Sequence, residues 1–348
     1  MAIFYEAPVP PVDLTVFIRE VPVPANLAFL NAFPVRNLDT NTVDFAEVLR
    51  TNRAAKFRTF DGRITVSQRD GGSDKRVPLI PLSTSLSQGE YERLKLEFAR
   101  TGGTRSEALA NATYNDGEQL TREVQNRLEL AWGDLLTDGK ITINENGVNG
   151  EYDFGVPANH IVNAAILWSD TETAQALDDM IAWNDEYRRT NGTRAGAQRT
   201  TEGVLRLLQR NKQIVNAVHG AQTGKTRVTF NELNDLMDSE NLAPVVLQDV
   251  ARFDVDGVVT PTVPDDRVML TPADLSELGY TAFGVTATAL ELVDSSKVDF
   301  AFEEAAGIVG VTEKDGPPYR EFTFVDAVAL PILTDAKRLF VAKVRNAA

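Results

Sequence analysis

Two histidines, His160 and His219, and no cysteine stand among 348 residues. Most metal and acid–base sites draw on those residue types. Their scarcity removes disulfides, thiolate zinc sites and cysteine nucleophiles, and leaves chemistry to the 50 carboxylates. The string GAQTGKT at 220–226 has the look of a phosphate-cradling loop. That loop needs four residues between its glycines, with a strand before it and a helix after it. Gly220 and Gly224 enclose only three, His219 stands where the first glycine belongs, and a helical pattern precedes the strand-like TRVTF. A helix-ending glycine followed by a loop accounts for the string. His160 follows Pro157 and opens the apolar run HIVNAAILW, which is a structural position rather than a ligand's.

The string FDVDGVVT at 253–260 resembles the first motif of the haloacid-dehalogenase phosphatases, in which the first Asp is the nucleophile and the second an acid–base. Asp254 and Asp256 would take those roles in a Mg²⁺-dependent phosphohydrolase, the enzyme alternative for this chain. That family carries the motif on the first strand of a doubly wound sheet. Here it comes late, after a helical region, and VARFDV and VVTPTV read instead as the arms of a β-hairpin turning at Asp256-Gly257. A calcium loop would close on Glu at its twelfth position, where Asp265 stands. The expectation is no catalytic residue, no metal and no cofactor.

The elements around these strings belong to a chain long enough for two lobes, with 43% apolar and 24% charged residues, an ordinary globular balance. A formal charge of −15 argues against a general nucleic-acid binder, which neutralises phosphates with Lys and Arg, but not against a protein that encloses nucleic acid without gripping it. No run of about 18 apolar residues is present to span a membrane. The start lacks a basic segment and is broken by prolines, unlike a signal peptide.

Six prolines (Pro8, Pro10, Pro11, Pro22, Pro24 and Pro34) predict an extended arm over 1–34 rather than a helix. Its apolar residues, among them Phe4, Tyr5 and Phe17, must lie on the chain's own body or on a neighbour. Residues 53–82 alternate β-rich pieces with turns at Asp61-Gly62 and Asp70-Gly71-Gly72. Between 53 and 76 stand seven basic residues (Arg53, Lys56, Arg58, Arg63, Arg69, Lys75 and Arg76) against three acidic, a net of +4 that leaves −19 for the rest. A basic hairpin on an acidic body suggests docking on another copy. Residues 118–136 predict a helix, with Leu120, Val124, Leu128, Ala131 and Leu135 as one apolar stripe, Asp116 as cap and Gly139 as stop. A second helical pattern covers 87–100, and the turns Asn146-Gly147 and Asn149-Gly150 predict a hairpin over 140–154. Helices are expected over 171–189 and 201–218, with capping boxes at Ser169/Glu172 and Thr229/Glu232. Strands follow over 244–300, broken by a short helix near Pro272, and strands return from about Val309 to the end.

Read in order, the elements and several strings resemble the phage lambda major capsid protein E family of tailed bacteriophages. The strings are LTVFIREVPVPANLAFLNAFPVRNLDTNTVDF, VPLIPLSTSLSQGEYERLKL, VPDDRVML and REFTFVDAVALPILTDAKRLFVAKV. The resemblance implies an α+β fold of the Hong Kong 97 type. Its parts would be an N-terminal arm (1–35), an extended loop (36–86), a peripheral domain with a spine helix (87–168), an axial domain (169–300) and a return to the peripheral domain (301–348). It implies that EFTFVDAVALPIL and RLFVAKV pack against the stripe from Leu120 to Leu135, with Pro331 at an edge or bulge. By the same resemblance the chain self-assembles into pentamers and hexamers of an icosahedral head around double-stranded DNA. A separate scaffolding protein, a portal protein and a decoration protein would be its partners. The seven basic hairpin residues and Phe4, Tyr5 and Phe17 are the candidate inter-subunit contacts, and Leu120, Val124, Leu128 and Leu135 the candidate spine core. A nanocompartment shell of the encapsulin type is the alternative that keeps the fold.

Overall fold

The N-terminal segment carries two helices, against the expectation of an extended arm without helix. In the computed structural model, which describes residues 2–48, 72–89, 105–145, 147–222, 224–248, 250–317 and 319–346, strand β1 (Ala2–Ile3) leads into helix α1 (Pro11–Glu20) and helix α2 (Ala28–Ala32). The prolines do not forbid this. Pro11 occupies the first turn, where a missing N–H costs nothing, and Pro22 and Pro24 come only after the last turn. Leu14, Thr15 and Ile18 then share the buried face of α1.

Strand β2 (Val35–Asn37) precedes the hairpin strands β3 (Thr42–Val48) and β4 (Gly72–Pro78), after which comes β5 (Ile80–Gln88). Helix α3 runs from Arg105 to Asp138, 34 residues and far longer than predicted. Asp116 is therefore interior rather than a cap, and takes a hydrogen bond from Gln88 Nε2 at 3.0 Å. The helix stops where expected, at Gly139, whose φ of +77° suits glycine and whose N–H reaches the Leu135 carbonyl at 2.8 Å. The expected helix over 87–100 overlaps the end of β5 at 87–88, and 90–100 lies outside the described residues. Strands β6 (Lys140–Glu145) and β7 (Val148–Asp153) form the predicted hairpin, although Asn149-Gly150, read as a turn, is paired within β7.

A short strand β8 (Ile161–Asn163) leads into helix α4 (Ala176–Asn191) and strand β9 (Ala197–Thr200). Helices α5 (Glu202–Leu208), α6 (Lys212–His219) and α7 (Phe230–Ser239) follow. The predicted helix over 201–218 is thus two, because Asn211 restarts it by accepting from Ile214 N at 3.2 Å. The Thr229/Glu232 capping box forms. Ser169/Glu172 does not, since Asp170 takes the N–H groups of Glu172 and Thr173 in a turn ahead of α4. Next come β10 (Val245–Leu247), β11 (Arg252–Val255), β12 (Val258–Pro261), β13 (Arg267–Thr271) and β14 (Gly279–Phe283). The helix expected near Pro272 is a single 3₁₀ turn over Leu275–Glu277. The remainder of the stretch read as strand turns helical at α8 (Ala287–Val293), where Thr286 Oγ1 caps Ala289 N at 3.0 Å. Strands β15 (Val309–Asp315), β16 (Arg320–Leu333) and β17 (Phe340–Lys343) end the chain.

Two sheets organise these parts. The larger has the order β1-β15-β16-β14-β2, with β5 also paired to β16. The smaller has the order β10-β9-β13-β17-β8. Helix α3 lies between them and buries Leu120, Val124, Leu128, Trp132 and Leu135, so Trp132 takes the inward place assigned to Ala131. Trp132 stacks on Phe33 with ring centres 3.5 Å apart and donates to Thr281 Oγ1 at 2.9 Å.

The C-terminal strands divide between the sheets. Strand β16 faces α3 as expected, whereas β17 joins the smaller sheet between β13 and β8. Alternation explains how so short a strand serves both cores. Leu339 and Val341 face the core around α3, while Phe340, Ala342 and Val344 face the core of α4–α7. Sheet membership also joins segments of the expected axial and peripheral parts, since β13 pairs with β17 and β14 pairs with β16. Pro331 sits at an open ladder position. Its partner Thr281 donates to the Pro34 carbonyl on the far side, and β5 ends at the Ile80–Ala329 pair, so no donor is required of the proline. Among the described residues no helix is long and apolar enough to cross a membrane.

Candidate functional site

The residues that could do chemistry are engaged in structure. Asp254 Oδ1 accepts from Gly257 N at 2.6 Å, and Asp256 (φ +52°) with Gly257 (φ +83°) makes the two-residue turn joining β11 to β12. Asp254 is a turn-former near the tip of a two-stranded ribbon, and among the described residues no group of three His, Cys, Asp or Glu could hold a metal ion. His160 is fully buried, with Nδ1 3.0 Å from the Leu339 carbonyl and Nε2 2.9 Å from Thr190 Oγ1. A carbonyl only accepts, so Nδ1 carries a proton. Burial holds the ring below the usual histidine range. Gly220, at φ +81°, ends α6, and 225–228 forms no strand but leads to the capped start of α7.

The arm lies on its own chain. Phe17 meets Tyr114 of α3 edge to face at 4.7 Å, Lys314 Nζ stands 4.6 Å from the Phe4 ring centre, and Lys297 Nζ stands 5.0 Å from that of Tyr5. Thr15 Oγ1 donates to the Gly310 carbonyl at 3.2 Å. Helix α1 fits between α3 and β15 because glycine stands on both: a Cβ on Gly117 would lie 3.1 Å from Leu14, and one on Gly310 would lie 2.9 Å from Ile18. Helix α2 is held by a group that pattern reading missed. The buried carboxylate of Glu129 on α3 accepts from Phe29 N at 3.0 Å and Leu30 N at 2.8 Å, capping α2 from outside. Burial raises its pKa against the effect of those bonds.

The hairpin strands β3 and β4 pair antiparallel from Thr42↔Pro78 to Val48↔Gly72. Lys75 and Arg76 lie on β4 opposite Phe45 and Asp44. Arg53, Lys56, Arg58, Arg63 and Arg69 lie outside the described residues. The candidate spine residues Leu120, Val124, Leu128 and Leu135 are buried within the central core. Each such side chain contributes roughly 1.5–3 kcal/mol.

Strand β5 pairs only with β16 among the described residues. A groove of about 420 Å³ runs beside it along α3, walled by Ile80, Leu82, Ala131 and Ile143. Carboxylates rim this side. Glu145 pairs with Arg127 at 2.6 Å, and Glu123 accepts from Thr84 Oγ1 at 2.7 Å. The outward residues of β5 (Pro81, Ser83, Ser85 and Ser87) are exposed and uncharged.

The fold has known counterparts. A crystal structure assigned as a prophage capsid protein of Escherichia coli CFT073 superposes with a TM-score of 0.60 at 14% identity, over 94% of this chain and 97% of that one. A phage-related protein from Bordetella bronchiseptica RB50 superposes with a TM-score of 0.52 at 13% identity, over 99% and 98%. No curated protein sequence matches the chain. At these identities the likeness to the two structures is one of fold. The family model of phage major capsid protein E matches residues 11–342, and the chain belongs to that family.

Proposed function

We propose that this subunit builds pentamers and hexamers of an icosahedral head around double-stranded DNA, and that the basic 53–76 segment of one copy docks beside β5 of the next. Membership of the capsid family makes the chain a shell-forming structural protein of the virion head and not an enzyme. The β3–β4 ladder carries the finer reading. It pairs seven residues of each strand beside a sequence segment, 53–76, of net charge +4, against −19 for the rest of the chain. A polar ribbon of this kind buries little by itself and gains stability on a neighbour. The open side of β5 offers ladder groups, apolar walls and a carboxylate rim to such a ribbon.

Within the subunit, the larger sheet with α3 and the β6–β7 hairpin serves as the peripheral body, and the smaller sheet with α4–α7 as the axial body. Many weak contacts of arm and loop sum to a stable shell through closed symmetry. An acidic lining leaves packaged DNA unbound, because like charges repel. A separate scaffolding protein, a portal and a decoration protein complete the list of proposed partners.

Negative-stain electron microscopy with sedimentation velocity tests the proposal, on the full chain and on a variant with 53–76 replaced by a two-residue turn. Shells, rings or sheets formed by the first and lost in the second are expected. Equal assembly by a folded deletion variant would remove the segment from the interface.

A further inference from the structure

Among the described residues Arg199, on β9, is a half-buried cation with no carboxylate in an ion pair with it. Its Nε donates to Thr271 Oγ1 at 3.1 Å and its Nη2 to the Ala273 carbonyl at 3.2 Å, both neutral. Among the described residues, each of the other half-buried arginines (Arg127, Arg188, Arg267, Arg338 and Arg345) has a carboxylate within 4 Å. Burial alone lowers the pKa of Arg199, with no neighbouring carboxylate to counter it. A desolvated charge left unpaired is costly, and acidic residues outnumber basic ones 50 to 35 in this chain.

The guanidinium lines a cleft of about 300 Å³ between α2 and the edge strand β10. Ala28 and Ala32, one helical turn apart, keep that wall low, and Leu247 at the rim is 42% exposed. Asp274 also borders the cleft, but its carboxylate accepts from Ser276 N at 2.9 Å. The cleft therefore presents the Arg199 guanidinium, the Asp274 carboxylate held by Ser276, small apolar walls and one exposed leucine to whatever enters.

We infer that this cleft is an inter-subunit contact in which Arg199 receives a carboxylate from a second copy of the chain. The occupant follows from charge and from function. A shell subunit is surrounded by copies of itself, each copy carries −15, and the anion that Arg199 lacks among the described residues is the group those copies have in excess. The inference rests on the shell-forming reading and adds to it a contact on the smaller sheet, across the molecule's chain order from the basic hairpin.

The test compares full-length wild type with Arg199→Met and Arg199→Glu. Sedimentation velocity should show the assembled fraction falling about tenfold or more in Arg199→Glu, and less in Arg199→Met. The monomers should keep wild-type circular dichroism, and Arg199→Met should melt no lower than wild type, because it removes a desolvated charge and no ion pair. A cryo-electron microscopy map of wild-type particles should place a neighbour's Asp or Glu within about 4 Å of the guanidinium. Undiminished assembly of folded Arg199→Glu would overturn the inference, as would a map with a nucleic-acid phosphate or a carboxylate of the same copy at that position. Wild type that never self-associates would overturn the shell-forming reading as well, whereas assembly lost only in the hairpin deletion would leave that reading standing and remove Arg199 from it.

Discussion

Glu129 shows how one side chain ties the arm to the long helix. Its oxygens satisfy two N–H groups at the start of α2 that no residue of α2 itself caps. Replacing it with Ala leaves both buried donors unsatisfied, at about 1–3 kcal/mol each at most. Glu129→Gln keeps one acceptor and should cost less. The pH response separates charge from packing. Because burial raises the folded pKa above the unfolded value, the fold holds this proton more tightly, and the stabilisation that protonation brings is lost as pH rises from about 4.5 through the folded pKa. Urea titrations at a series of pH values should show that dependence in wild type and a flatter profile in Glu129→Gln; matching profiles would mean the carboxylate does not titrate within the fold. Little of this was readable in sequence. A glutamate on a helix ordinarily reads as solvent face, and its partners Phe29 and Leu30 lie 100 and 99 residues away. The leucines around it were readable, because burial along one helix face is a local, periodic property.

At the scale of elements, two glycines of α3 divide between tolerance and necessity. A Cβ on Gly117 meets only the ends of Leu14 and Ile18, at 3.1 and 3.2 Å, and such side chains shift. A Cβ on Gly133 would lie 1.8 Å from the Thr262 carbonyl oxygen, a backbone atom of the loop after β12. Alanine favours a helix interior by about 0.8–1 kcal/mol over glycine. Gly117→Ala should therefore stay within about 1 kcal/mol of wild type, while Gly133→Ala should lose about 1–3 kcal/mol or more through overpacking. Thermal melts of the two variants decide this; a neutral Gly133→Ala would mean that Thr262 moves away from the helix without penalty. The same distinction explains which elements could be read in advance. The β6–β7 and β11–β12 hairpins carry their own turn chemistry, and each forms where predicted. The arm misleads because prolines that stop a helix also start one, and only their place relative to Leu14 and Ile18 distinguishes the two. Residues 284–293 mislead because β-branched and apolar residues fit a buried helix as well as a strand, with Thr286 as the deciding cap.

For the whole molecule, the order of the chain and the order of the sheets are interleaved. Residues near the start supply β1 and β2 of the larger sheet, the middle supplies most of the smaller one, and the last strand β17 sits inside the smaller sheet after β16 has crossed the larger. Two lobes read from chain length would each be a contiguous segment; here each is closed by residues far along the chain, and such pairings leave no local trace in sequence. Interleaving predicts one cooperative unit. Ending the chain at Leu333 removes β17 and with it Leu339, Phe340, Val341, Ala342 and Val344 from two cores, together with the carbonyl that orients His160. Four of those are large side chains worth roughly 1.5–3 kcal/mol each, enough together to exhaust a stability of about 5–15 kcal/mol. Trp132 reports the larger core and Trp168 with Trp183 the smaller, so tryptophan fluorescence distinguishes the outcomes when Trp168→Phe and Trp183→Phe leave Trp132 as sole reporter. In the shortened chain Trp132 should lie in a solvent-like environment even though its own sheet retains every strand. A native Trp132 signal there would show that the larger sheet and α3 fold without the smaller sheet, and that the crossing strand joins two autonomous bodies instead of locking one.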